Sequence, residues 1–538
     1  MKMKHHWSRM SRVATAFAVG VIGVLAVSDG ASAQVKSHAS SSTVSIRLSS
    51  GDYDTLNPAI TGTYGGAEMA EFLYDRLVAL NSQSQPVPYL ASSWTVAGST
   101  VTLNIRQGAT CSDGTAVTPS VVAASLTYFS SPTTAAFPAP LVFGPAGVKS
   151  ITSSDSAGTV TIVLNKPFSG IIAGLANPAA SIICPAGLAN LTSLKDTSSG
   201  SGPYTVTSSN RNSQYVLTLR PGYNWGPAGT DYSTMPTTID MDVIATESTA
   251  ANELIGGTLD VGNVVGRDDV RLKAESSLQE KISGSLPTAN ALLFNEHKGL
   301  PFADPYLRKA VAMVVNVKDF NEAYSFGLDK VIHTMMTPGM TCYNPADAKA
   351  DIPTATPKAA EALLLEHGYK KGSNGFLEKN GKQLDIRIVD PTFVNDGDEY
   401  LQSALESIGI KATVSVTDTD AYVNTIYTTG AWDLQLYGFA GPFPTIPLYL
   451  AIQVEGAAPP KGINVGWTNN PTFNALAAKA ENSAGSDCGV WDAAERALLS
   501  RADVVPLSVY DIYWFGSKSV NFDPSFGVSI NPFTLSVK

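Results

Sequence analysis

Between Thr356 and Val416 the chain runs twice from helix to glycine to strand, and that order constrains its fold more than any other feature. Thr356-Pro357 is an N-cap followed by proline at the first helical position, and Gly368 supplies the residue that ends the helix. Leu384–Val389 reads as a strand. Glu399–Ile408 reads as a helix stopped by Gly409, and Ile410–Val416 as a strand again. Asp304-Pro305 opens a further helix with Leu307, Ala310, Val311 and Val314 on one face. Alternation of this kind winds an α/β lobe.

The first half mixes the same elements. Thr43–Leu48, Val101–Arg106, Thr159–Leu164 and Tyr215–Leu219 alternate as half-buried strands do. Ala67–Leu80 reads as an amphipathic helix, with Met69, Phe72, Leu73 and Leu77 near one face. Thr118-Pro119 caps another, with Val122, Ser125, Leu126 and Phe129 at helical spacing. The Ser- and Gly-rich segment 192–202 reads as a crossover between bodies.

The N-terminus carries Lys2, Lys4, Arg9 and Arg12, then an apolar run over Val13–Val27 and the small residues Ala31-Ser32-Ala33. That is the grammar of a cleaved signal peptide over residues 1–33, which predicts a periplasmic or secreted protein. No cysteine lies near the cleavage site, so no lipid anchor is expected. Residues 34–42 read as a flexible polar leader. Cleavage would leave 505 of 538 residues and shift the net charge from −10 to −13. A chain of that length exceeds a single core and predicts two or more lobes. An acidic chain without a basic stripe is a poor partner for nucleic acid. Four cysteines, Cys111, Cys184, Cys342 and Cys488, permit three disulfide connectivities in an exported chain. They lack the close spacing of zinc ligands, and the scattered His38, His297, His333 and His367 suggest no metal site. No cofactor is expected.

Several blocks in register carry a resemblance. They include Tyr74-Asp75-Arg76-Leu77-Val78, the segment Pro88–Trp94, Cys111-Ser112-Asp113-Gly114 with Val121–Leu126, Gly202-Pro203-Tyr204, Gly257–Asp260, Phe294-Asn295 through Val311, and Trp432-Asp433-Leu434. Together they resemble the extracytoplasmic solute-binding proteins of ABC importers, the peptide/nickel-binding family 5. The resemblance implies an α/β, periplasmic-binding-protein-like two-lobed clamshell with an extra small domain. Lobe I would comprise 43–84, 200–290 and 500–538, the extra domain 85–199, and lobe II 291–499. Cys111–Cys184 and Cys342–Cys488 are the pairings that keep each bridge within one body. The resemblance further implies a monomer that captures a small solute or peptide and delivers it to a permease driven by ATPase subunits.

Three segments are candidates for ligand contact: Asp52 and Tyr53 after the first strand, Asp390 and Thr392 after Leu384–Val389, and Trp432, Tyr437, Phe439 and Phe443 farther on. Loops at strand ends are where α/β folds bind ligands. Peptide-binding relatives carry an aspartate for the peptide α-ammonium in the loop that here reads Ala440-Gly441-Pro442-Phe443-Pro444, so an ordinary free-amino-terminus peptide fits poorly unless Asp52 or Asp390 substitutes. A sensor or chaperone could use the same scaffold. A secreted hydrolase fits less well, because the chain has neither a Gly-x-Ser-x-Gly elbow nor a His-Glu-x-x-His helix. Gly375–Lys382 looks superficially like a phosphate loop but reads better as a turn.

Overall fold

The structure is a computed structural model. It describes residues 43–48, 51–81, 85–136, 138–144, 146–282, 288–337, 340, 342–344, 356–391, 396–417, 419–439, 453–454, 456–482, 487–524 and 529–538. Two large sheets organise it. The first has seven strands, in the order Leu278–Ile282, Tyr513–Ser517, Val261–Asn263, Thr43–Leu48, Thr238–Val243, Gln214–Leu219, Tyr204–Asn210. The second has six, in the order Lys330–Val331, Val504–Tyr510, Thr288–Phe294, Leu434–Phe439, Asp385–Pro391, Lys411–Thr417. A four-stranded antiparallel sheet, Ala91–Ala97, Thr100–Ile105, Thr159–Leu164 and Val148–Ser154, forms the extra domain with the helix Pro119–Ser130. The architecture is the expected clamshell.

Local chemistry sets these elements. Thr118, Thr246 and Thr356 each accept a backbone N–H of the helix they precede, and Asp304 accepts from Tyr306 N at 3.0 Å. Thr159–Leu164 alternates half-buried with buried, as its sequence requires. Gly202 is fixed by space: a Cβ there would lie 2.4 Å from the Leu73 carbonyl carbon.

Two expectations change. The helix of Ala67–Leu80 spans Tyr64–Leu73, and Val78–Leu80 is instead a strand paired with Pro86–Pro88. Leu77 is buried in both readings, and apolar spacing alone does not separate a buried strand from a helix face. The second crossing between lobes lies later than 500. Val504–Tyr510 pairs with Thr288–Phe294 in the second sheet, whereas Tyr513–Ser517 belongs to the first. The chain therefore crosses at 511–512 and, on its first passage, between Ile282 and Thr288. Pro506 sits inside this strand where the register shifts between Asn290 and Ala291, the kind of irregularity that tolerates a proline.

Disulfides join Cys111 to Cys184 and Cys342 to Cys488. Each core is anchored by fully buried tryptophans, Trp514 in the first lobe and Trp432 and Trp491 in the second. Arg308, 1% exposed, is held by Asp503 at 2.8 Å, Glu296 at 3.2 Å and the Phe302 carbonyl at 2.7 Å.

Candidate functional site

Strand direction locates the site. In the first sheet Thr43–Leu48 runs parallel to Thr238–Val243 and Val261–Asn263; in the second, Asp385–Pro391 runs parallel to Lys411–Thr417 and Leu434–Phe439. The carboxyl ends of the second set lie where Thr288 pairs with Tyr510, beside both crossings. Those of the first lie where Ile282 pairs with Tyr513, beside the same crossings. Both sheets thus offer their carboxyl edges to one cleft, the place where α/β sheets bind ligands.

Arg47 holds the first edge together. It is 2% exposed, forks onto Glu247 at 2.8 Å through two nitrogens, and donates to the Asn263 carbonyl at 2.7 Å and the Ile244 carbonyl at 3.0 Å. These bonds tie the ends of the two strands that flank its own. Asp52 secures the loop beyond. One oxygen accepts from Tyr53 N at 2.8 Å and the Tyr215 hydroxyl at 2.6 Å; the other accepts from Asn212 N at 2.8 Å and pairs with Arg211 at 3.3 Å. Tyr53 is buried, with the Arg211 guanidinium 4.1 Å from its ring centroid.

The helix Tyr64–Leu73 begins directly on that loop. Gly65 permits the approach, since a Cβ there would stand 2.8 Å from the Gly51 carbonyl oxygen. Tyr64, the first residue of that helix, stands beside the loop that follows the first strand. It is 54% exposed, yet burial raises its phenol above the usual tyrosine range.

The second edge is polar beneath and aromatic above. Asp390 is wholly buried; its Oδ1 accepts Leu436 N at 2.9 Å, and its Oδ2 finds no hydrogen-bond partner among the described residues. Burial pushes its carboxyl up to about 8, and the neighbouring Asp398 charge adds to the shift. Gln435, equally buried, accepts the Tyr422 hydroxyl at 2.5 Å. Tyr437 is buried as well; its hydroxyl lies 3.3 Å from that of Tyr427 and accepts from Gln453 at 3.0 Å. Asn290 and Ser508 both donate to Asp329, at 3.3 and 2.7 Å, and burial pushes Asp329 up to about 7. Tyr324 and Tyr422 are half-buried above this layer. Burial raises both phenols, and the Asp390 charge raises them further. Arg267 of the first lobe stands 5.2 Å from the ring centroid of Phe326, the residue after the helix of Tyr324, so the edges meet there.

The predicted residues fall in different places. Tyr53, Asp52 and Asp390 lie at the facing edges, and Tyr437 on the strand that reaches the second edge. Trp432, wholly buried, lies at the amino end of that strand, away from the cleft. Thr392 and Phe443, and the side chain of Phe439, lie outside the described residues. Tyr64, Tyr324, Tyr422 and Gln435 were not among the residues predicted from the sequence. The Gly65-Gly66 pair after Tyr64 was a usable signal of close backbone approach; the others carried none.

The family model for "Bacterial extracellular solute-binding proteins, family 5 Middle" matches residues 85–458. The glutathione-binding protein GsiB of Escherichia coli (strain K12) is 25% identical over 375 residues, 68% of each chain. A substrate-binding protein from Microbacterium hydrocarbonoxydans, solved with 4-hydroxybenzoate hydrazide, is 28% identical, with a TM-score of 0.78 over 93% of this chain and 100% of that one. The periplasmic binding protein DppA from Helicobacter pylori, solved with a peptide, is 20% identical, with a TM-score of 0.77 over 92% and 98% of the two chains.

Proposed function

We infer the ligand class from one premise: this chain belongs to the bacterial extracellular solute-binding proteins, family 5. It is the solute-binding component of an ABC import system and captures a small solute between two lobes for delivery to a membrane permease. Ligand that touches both edges favours the closed form, because only there are all its contacts made. Family 5 proteins work in the periplasm, and no described helix is long and apolar enough to cross a membrane. We read residues 1–33 as the export signal, the chain as a monomer without enzymatic activity, and the ligand as a small uncharged solute, not a free-amino-terminus peptide.

The state of two acids carries that reading. A buried ammonium needs a charged or hydrogen-bonded partner, and a carboxylate is the strongest one. Both oxygens of Asp52 are engaged within the first lobe, and Asp390, with its carboxyl near 8, is mostly neutral at pH 7. The Microbacterium relative, solved with an uncharged aryl hydrazide, agrees with this. The test is a melting-temperature and calorimetric screen of protein refolded free of carried-over solute. We expect 4-hydroxybenzoate hydrazide to stabilise it, by about 2.7 kcal/mol at a hundredfold excess over Kd, without product formation. Stabilisation by dialanine or glutathione, and none by the hydrazide, would overturn the reading.

A further inference from the structure

We propose that the Cys342–Cys488 disulfide is a thiol-responsive clasp on lobe II: a small-molecule thiol opens it in the folded protein, while Cys111–Cys184 stays closed. The clasp is independent of which solute the cleft takes.

The two bridges differ in what governs exchange. Cys111 and Cys184 are both wholly buried. Their backbones are bonded on either side. Cys111 N donates to the Thr115 carbonyl at 2.7 Å, the Cys111 carbonyl accepts from Arg220 at 2.7 Å, and Cys184 N donates to the Ser199 carbonyl at 2.8 Å. A thiolate reaches that bridge only after the domain around it opens. Cys342 and Cys488 are instead half-buried, and Asn344, Asp487 and Gly489 beside them are exposed. Exchange is attack by a thiolate on a bridge sulfur, so access decides which bridge reacts first. The backbone favours the same bridge. Cys342 has a φ of 71°, in the left-handed region that a residue with a β-carbon rarely adopts, and an open bridge frees it to leave that region.

Opening is local, because bonds without sulfur hold the same two elements together. Ile332 N donates to the Leu507 carbonyl at 3.2 Å. Glu495 accepts from Met335 N and, at 3.1 Å, from Met336 N. Glu495, Met335 and Met336 are all buried. Glu495 lies on the helix that Cys488 begins, Cys488–Arg501, and that helix packs against the strand Val504–Tyr510 of lobe II. Segment 332–337 and the helix therefore stay joined when the sulfurs part, and the sulfurs remain placed to rejoin. In the exchange one thiolate attacks a bridge sulfur, the Sγ–Sγ bond breaks, and the other sulfur leaves as a thiolate and takes up a proton. A second thiol then displaces the first. Two external thiols become one disulfide as the bridge becomes two thiols.

The test incubates folded protein with excess 2-mercaptoethanol, alkylates it with iodoacetamide without denaturant, and maps the label by peptide mass spectrometry. Label should fall on Cys342 and Cys488 and spare Cys111 and Cys184. The thiol-treated protein should melt at least about 2 °C lower, since the lost bridge joined residues 146 apart in sequence. Added 2-hydroxyethyl disulfide should restore the original melting temperature. The double variant Cys342→Ser, Cys488→Ser should melt like the treated protein and ignore the thiol. Any other labelling pattern, an unchanged or irreversible melting temperature, or a thiol response that persists in the double variant would overturn the clasp.

Discussion

Replacing Asp390 with asparagine should stabilise the protein by an amount that grows from pH 5 to pH 8 and vanishes below pH 4. Asp390 is wholly buried, and burial lifts its carboxyl from 3.8 to about 8. The folded chain therefore keeps a proton that the unfolded chain releases. Stability from this group is full below pH 4 and is lost as pH rises towards 8. One pKa unit corresponds to about 1.4 kcal/mol, so the loss between pH 5 and pH 7 is about 3 kcal/mol. Asparagine keeps the acceptor for Leu436 N and carries no titrating proton. Urea unfolding at pH 5, 6, 7 and 8, followed on the same transition in both proteins, should show a gap that opens with pH in favour of Asp390→Asn. Asp329, pushed up to about 7, bends both curves alike and largely cancels in the difference, whereas Asp398, pushed up to about 6, interacts with the Asp390 charge and cancels only in part. A gap that stays constant across this range would refute the reasoning.

Other perturbations separate scaffold from site. Asp52→Ala strands the Tyr215 hydroxyl and Asn212 N–H, and should destabilise the protein by about 1–3 kcal/mol in denaturation with ligand affinity little changed in calorimetry. Asp503→Ala leaves Arg308 buried with one carboxylate partner fewer, and should cost about 3–5 kcal/mol by the same measurement. Peptide mapping without reductant should recover Cys111 linked to Cys184 and Cys342 to Cys488; loss of the second bridge in Cys488→Ser should lower stability by about 2–5 kcal/mol. Arg267→Ala removes a contact between the lobes, and should weaken ligand binding by roughly 0.5–1 kcal/mol without lowering the melting temperature of the free protein.

Signals written by a side chain onto its own backbone were legible in the sequence. Thr118, Asp304 and Thr356 mark helix starts within a residue of their positions, and Gly409 marks a stop, because capping depends on local geometry alone. Leu77 misled for the opposite reason: its burial is tertiary, and it directly precedes the strand Val78–Leu80, which pairs with Pro86–Pro88 and is no continuation of the helix. The crossing after Tyr510 was hidden because Val504–Tyr510 is apolar and could pair in either sheet. In the site, Asp390 was legible as an acid at a strand end. Tyr324 and Tyr422 were not, since the place of their helices beside the second sheet is set by tertiary packing and no local residue pattern marks it.

Small-angle scattering of the ligand-free protein, titrated with 4-hydroxybenzoate hydrazide, tests most directly whether the two edges shut on a solute. The radius of gyration should fall as the hydrazide saturates the protein and should not fall with dialanine. Saturation at unchanged dimensions would show that the hydrazide binds without drawing the lobes together, and the account of the cleft would fail.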